Sequence, residues 1–212
     1  NNLVANAIKA ISNGVIQKVV VSRLRKQELK QNIAESFVRL LNAYPNAMVY
    51  FWSHPKTGTW IGATPETLLN LEAGKCKTMA LAGTIAHENN KLPKWSSKEI
   101  DEQQMVTVFI KKQLEVLYPN NEIKPSTTYT RRAGNLLHLC ADFEFDINQV
   151  GLLDLVKSLH PTPAVSGVPV IKSLEFIKAF ETHERKYYAG FLGPVNKQTA
   201  HIYVNLRRFM EI

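Results

Sequence analysis

Residues 47–82 read AMVYFWSHPKTGTWIGATPETLLNLEAGKCKTMALA. Four runs in this stretch, 47–53, 58–63, 67–72 and 75–82, have the β-branched and aromatic content of strands. The gaps Pro55-Lys56-Thr57-Gly58 and Glu72-Ala73-Gly74-Lys75 carry turn residues and read as hairpins, so this part of the sheet is antiparallel.

Helical patterns flank these strands. Leu3, Ala7, Ile8 and Ile11 repeat at helical spacing until Gly14, and the dense run Val19-Val20-Val21 after it predicts a buried strand. Residues 33–44 predict a helix that Pro45-Asn46 ends. A polar segment with Asn89, Asn90, Pro93 and Ser96 precedes a long helix over 97–117. Helical patterns return at 150–159 and 168–181, and strand-like runs at 188–195 and 199–209 are joined by a turn through Asn196 and Lys197. The expectation is one α+β domain over 1–212 with a mainly antiparallel sheet packed with helices. Its last apolar strand stops abruptly at Met210-Glu211-Ile212, which predicts further sequence and a domain incomplete at the C-terminus.

Composition narrows the function classes. The 212 residues are 45% hydrophobic and 21% charged, an ordinary globular balance. No apolar stretch approaches the roughly 18 residues that cross a bilayer, and the N-terminus lacks the order of a signal peptide, so a cytoplasmic protein with no membrane partner is expected. Cys76 and Cys140 lie outside any CxxC or His-rich context, which argues against zinc and disulfides and for reduced core residues. The net charge of +8 is scattered, with no basic run longer than Arg131-Arg132 or Lys111-Lys112. That argues against nucleic acid and suits an anionic small substrate.

Several residues stand out for their chemistry. On the 97–117 helix, Val106, Ile110, Leu114 and Leu117 form an apolar stripe whose N-terminal extension holds Glu99 and Glu102. Inward carboxylates need a cation, a basic partner or a wet cavity. Two readings stand, a helix cap favoured by the dipole and a metal site; two acids on one face favour the metal, and oxygen-only ligands favour Mg²⁺ over zinc. Lys18 enters the Val19–Val21 strand, where a lysine serves as a base or reaches solvent from the strand end. Glu66, at the turn Gly62-Ala63-Thr64-Pro65-Glu66, is a general acid or a turn residue. Gly83-Thr84 ends a strand and could admit an anion to its backbone N–H groups, or simply turn. The rigid loop His160-Pro161-Thr162-Pro163-Ala164-Val165-Ser166-Gly167 opens onto a helix N-terminus, a setting that suits a carboxylate. Arg207 or Arg208, but not both, points inward by strand alternation. His138, flanked by leucines, is a core histidine or a substrate donor.

Together, Lys18-Val-Val-Val-Ser-Arg23, Gly62-Ala-Thr-Pro-Glu66, Leu81-Ala-Gly-Thr84, Lys98-Glu-Ile-Asp-Glu102, Asn135-Leu-Leu-His-Leu139, the 160–167 loop and Tyr188-Ala-Gly190 resemble the chorismate-utilising enzymes over nearly the whole chain. That family includes isochorismate synthase, salicylate synthase, and the first components of anthranilate and aminodeoxychorismate synthase. The chain is most similar to isochorismate synthase, because amine-forming members generally lack a lysine at Lys18 and carry a loop resembling Pro-Ala-Gly-Thr-Val-Ser-Gly, and the loop of salicylate synthases also departs from His-Pro-Thr-Pro-Ala. The resemblance implies an anthranilate synthase component I-like fold and Mg²⁺-dependent conversion of chorismate to isochorismate. In it Lys18 activates the water that adds at C2, and Glu66 protonates the leaving C4 hydroxyl. Glu102 is implied as the direct metal ligand and Glu99 as its water-mediated companion. Gly83, Thr84, His138, Ala164, Arg207 and Tyr188 are implied as substrate contacts. The resemblance further implies a Gly-rich segment and a second glutamate pair beyond Ile212, so that these 212 residues alone would be inactive; a monomer serving menaquinone or siderophore synthesis is expected. The alternatives are a salicylate synthase, an amine-forming synthase component, and a non-catalytic binding module.

Overall fold

The computed structural model describes residues 2–28, 32–88, 92–147 and 150–206, and the backbone of 208–210. The hairpins predicted over 47–82 form, as β2 (Met48–His54), β3 (Gly58–Thr64), β4 (Thr67–Glu72) and β5 (Lys75–Ala86). The remaining elements are α1 (Asn2–Ser12), β1 (Lys18–Val19), α2 (Ile33–Ala43), α3 (Ser97–Leu117), β6 (Tyr129–Ala133), β7 (Leu136–Asp146), α4 (Leu152–Leu159), β8 (Gly167–Val168), α5 (Val170–Phe180), β9 (Phe191–Leu192), β10 (Thr199–Val204) and β11 (Arg208–Met210). The class is α+β, and every strand pairing is antiparallel.

The strands divide between a six-stranded sheet, ordered β6-β7-β5-β4-β10-β9, and a three-stranded sheet, β11-β3-β2. Helix α3 covers the larger sheet across β5 and β7. Its stripe of Val106, Ile110 and Leu114 is buried as the spacing predicts, against Cys76, Ala80, Ala82, Ala141 and Phe143 from the sheet and Leu155, Val156 and Leu159 from α4. Cys76, Ala80 and Ala82 share one face of β5 by strand alternation and join that cluster. Burial pushes the Cys76 thiol up to about 11, with the Asp146 charge adding to it, so both cysteines are reduced core residues as expected.

Asn205 joins the two sheets. It is buried, accepts from the Tyr50 hydroxyl of β2, and donates from Nδ2 to the Tyr187 carbonyl at 2.7 Å. Its backbone completes the junction, with Ala189 N–H donating to its carbonyl and its own N–H donating to Gly190. Around it Tyr50, Trp52, Trp60 and Tyr187 pack ring on ring.

Four expectations change. The run Val19–Val21 is not a buried strand: β1 is two residues long and half-buried, because its one strand partner is the equally short β8. Only Phe191–Leu192 of the 188–195 run is a strand; residues 186–189 turn so that Ala189 can bond Asn205. The run 199–209 splits between the two sheets: β10 has β4 on one side and β9 on the other, and β11 lies at the edge of the smaller sheet beside β3. Finally, β6 and β7 occupy a region for which no element was predicted, although the apolar residues Leu137, Leu139, Ala141, Phe143 and Phe145 recur at every second position of β7 and are all buried.

Candidate active site

Lys18 is carried by the β1–β8 ribbon, in which Lys18 pairs with Val168 and Val19 with Gly167. The loop over 160–167 is therefore the strand partner of the lysine. Gly167 has φ 143°, and a Cβ there would fall 2.1 Å from the Lys18 carbonyl oxygen and 2.5 Å from Ser173 Oγ. Only glycine permits this approach. Ser173, on α5, donates to the same Lys18 carbonyl at 2.9 Å. The backbone of Lys18 is thus held from both sides, and its side chain, 14% exposed, runs to α3.

There Nζ lies 2.9 Å from Oε1 of Glu102, whose side chain is 32% exposed. The nitrogen is fully buried, and its approach to the carboxylate falls outside hydrogen-bond angles. The ion pair offsets the cost of burying the charge while leaving the protons without an aligned acceptor.

One turn earlier, Glu99 does what a helix cap does. Its Oε2 accepts from the Ser96 backbone N–H at 3.2 Å and from the Ser96 hydroxyl. Those bonds, the side-chain one first, hold its carboxyl below the ordinary value. Glu99 thus caps the helix, and Glu102 meets a basic partner in Lys18. Among the described residues no three His, Cys, Asp or Glu converge as a metal cluster. Two carboxylates on one helix turn nevertheless fit Mg²⁺ in kind, since that ion keeps most of its waters and takes one or two protein carboxylates.

Gly83 joins this turn to the sheet. The β5–β7 register shifts between Ala82 and Thr84, and Gly83 occupies the shift with φ 72°. A Cβ there would meet the Glu99 carbonyl oxygen at 2.9 Å, so the strand lies directly under the first turn of α3. Thr84 follows opposite His138, and its hydroxyl is 3.0 Å from Nδ1 of that buried histidine. Lys18 with Glu102, Glu99 with Gly83, and Thr84 with His138 therefore form a chain of contacts through the start of α3.

The other expected residues are placed separately. Glu66 is 5% exposed at the bend between β3 and β4, where its carbonyl accepts from Val204 N–H at 3.0 Å and Thr64 Oγ1 donates to the Val204 carbonyl at 2.6 Å. Ala164 and Tyr188 are half-buried against the main core. Arg207 lies outside the described residues. His160 directs Nε2 at the Ala189 carbonyl, 2.8 Å away, and burial lowers its pKa against the opposing effect of that bond.

Sequence reasoning missed the most heavily bonded polar cluster beside the lysine. Glu181, at the end of α5, accepts from the Ser22 backbone N–H at 2.7 Å and from the Ser22 hydroxyl. Arg185 forks onto both oxygens of Glu181, and also donates to Val165 at 3.1 Å and Val20 at 2.6 Å. His183 Nε2 sits 3.0 Å from Ser22 Oγ. Burial alone would raise the Glu181 carboxyl, but Arg185 and Ser22 outweigh it and hold it low. The four-residue spacing of Glu181 and Arg185 was the one visible signal.

A family model described as chorismate binding enzyme matches residues 1–208. The chain belongs to the chorismate binding enzyme family. Among curated relatives, the salicylate biosynthesis isochorismate synthase of Pseudomonas aeruginosa is 31% identical over 199 residues, which are 90% of this chain and 42% of that protein. The chain spans about half the length of the curated relatives it matches. Among solved structures, the menaquinone-specific isochorismate synthase MenF of Escherichia coli superposes with a TM-score of 0.84 at 23% identity, covering 98% of this chain and 50% of that one. Anthranilate synthase component I of Streptococcus pneumoniae superposes with a TM-score of 0.86 at 22% identity, covering 98% and 48%. Those two likenesses establish the fold; because proteins named for different reactions share it, the reaction has to be argued from side chains. No helix among the described residues is long and apolar enough to cross a membrane.

Proposed function

We propose that this member of the family is an isochorismate synthase, converting chorismate to isochorismate with Mg²⁺. The observation that carries the proposal is Lys18, a buried amine brought to the first turns of α3 by a ribbon whose partner strand only glycine can supply. By the resemblance drawn from the motifs, amine-forming members generally lack a lysine at this position, and its presence favours water as the nucleophile.

In this reading Lys18 acts as the neutral amine, reached by loss of the proton it holds against Glu102 in the resting ion pair, and takes a proton from the water that forms a new C–O bond at C2. Glu66 gives a proton to the C4 hydroxyl, which leaves as water as the double bonds of the ring shift. One water enters and one departs, and the proton gained by Lys18 balances the one lost by Glu66. The acid and the base come from different elements, the bend after β3 and the β1–β8 ribbon. Glu102 and Glu99 would hold the metal, which would supply positive charge for a substrate carboxylate. The Gly83–Thr84 backbone, His138, Ala164, Arg207 and Tyr188 contact the substrate.

The test is to incubate the protein carrying this chain with chorismate and Mg²⁺ and to separate the products. Isochorismate alone supports the proposal. Pyruvate release without an added lyase would make the protein a salicylate synthase, anthranilate formed with ammonia would make it an amine-forming synthase, and no turnover at all would leave a binding module.

A further inference from the structure

The Glu181–Arg185 cluster has no part in the chemistry above, yet it touches every segment that positions the lysine. The ribbon has two arms. The Lys18 arm continues through Val20 to Ser22, and the Val168 arm begins at Val165 and Ser166, with Val20 N–H donating to Ser166 at 2.9 Å. Arg185 Nη2 donates to the Val20 carbonyl on one arm and Nη1 to the Val165 carbonyl on the other. The same guanidinium is tied to Glu181 through Nε at 2.9 Å and through Nη2. Glu181 in turn holds Ser22, two residues further along the lysine arm, by its backbone N–H and its hydroxyl. The guanidinium also lies 5.5 Å from the centre of the Tyr188 ring.

We propose that Arg185 is the positioning residue for Lys18, one planar guanidinium clamping both arms of the ribbon at a fixed separation while Glu181 sets its plane. Stability is a poor explanation for such a group. The side chains of Glu181 and Arg185 are 2% and 15% exposed, and burying an ion pair returns little net stability over apolar packing, whereas its fixed fork geometry specifies position. Lysine cannot substitute. An ammonium can meet Glu181 but cannot span two carbonyls and a carboxylate in one plane. The clamp also gives β1 and β8, too short to hold each other by ladder bonds, an external support.

The role of Lys18 as base rests on the proposed function, but its placement does not, and the experiment separates them. Lysines of the protein carrying this chain are trace-acetylated at a single pH, and each site is quantified by mass spectrometry relative to Lys75 and Lys77, which lie on β5 outside the cluster. In Arg185→Lys, Lys18 should gain at least about tenfold in relative reactivity, the factor carried by loss of a charge-assisted hydrogen bond. Turnover with chorismate should fall in kcat with KM little changed. Unchanged Lys18 reactivity in a variant with native amide protection overturns the proposal. If Arg185→Lys does not fold, Glu181→Gln, which keeps the shape of the clamp and removes its charge, takes its place with the same expectation. Loss of fold in both variants also overturns it, since the cluster would then hold the fold as a whole. A Lys18 that responds to Arg185→Lys while Lys18→Ala retains full turnover would sink the base assignment and leave the clamp standing.

Discussion

At the residue scale, Lys18 and Glu66 differ in what their surroundings allow. Lys18 is buried with a carboxylate 2.9 Å away, and Glu66 is buried at a bend whose backbone is locked to Val204. Neither is free to wander, as proton transfer in a fixed geometry requires. Lys18→Ala and Glu66→Gln are each expected to lower kcat by about 10²–10⁴-fold, the usual worth of a general base or acid, read as initial rates of isochorismate formation at saturating chorismate. A loss confined to KM in Lys18→Ala would show a binding lysine instead. Cys76, with its thiol pushed up to about 11 by burial first and Asp146 second, should be inert to thiol reagents at neutral pH until the protein unfolds, a result a timed alkylation with and without denaturant reads directly.

At the scale of elements, two glycines position the candidate site. Gly83→Ala places a methyl 2.9 Å from the Glu99 carbonyl at φ 72°, so the first turn of α3 must lift off β5. The expected cost is about 1–3 kcal/mol, measured by urea unfolding, together with weaker dependence of activity on added Mg²⁺ because Glu99 and Glu102 ride on that turn. Gly167→Ala is harsher. With the Lys18 carbonyl 2.1 Å from the new methyl, the ribbon has to part, and turnover should fall by at least the factor expected for Lys18→Ala. Serine at 173 belongs to the same element-level device, since its hydroxyl closes the ribbon onto α5.

For the whole molecule, the acid limb of stability follows from two buried groups. His160 is held below its ordinary value by burial, so the unfolded chain takes up a proton there before the native one does, and stability declines as pH falls below about 6.5. Glu181 is also held low. It contributes stability in full above its ordinary 4.5, which is lost as pH falls through its lower native value. A melting series should therefore show a decline beginning below pH 6.5 and a further one below 4.5, with Glu181→Gln reducing only the second, to which Glu99 also contributes. Between the sheets, Asn205→Ala should cost about 1–3 kcal/mol, because the Tyr50 hydroxyl and the Tyr187 carbonyl lose a buried partner.

Local pattern was enough for much of this. The antiparallel hairpins over 47–82, the apolar stripe of α3, the reduced core cysteines and the family itself followed from periodicity, turn chemistry and motif, all carried by residues close in the chain. The errors lie where a partner is distant. The Val19–Val21 run looks like a buried strand but is half-buried, pairing along a two-residue ribbon with Val19 and Val21 against the small cluster of Ala7, Ile16 and Phe176, and the 199–209 run looks like one strand but divides between two sheets around Asn205. Glu99 and Glu102 share a face, yet one bonds Ser96, three residues away, and the other meets Lys18, far back in the sequence. The sequence by itself determined which residue types the site contains and the order of the elements that carry them. Only the tertiary structure decided which of them meet, and it brought in Glu181, Arg185 and Asn205, because a polar side chain takes its role from the unsatisfied group that folding places beside it.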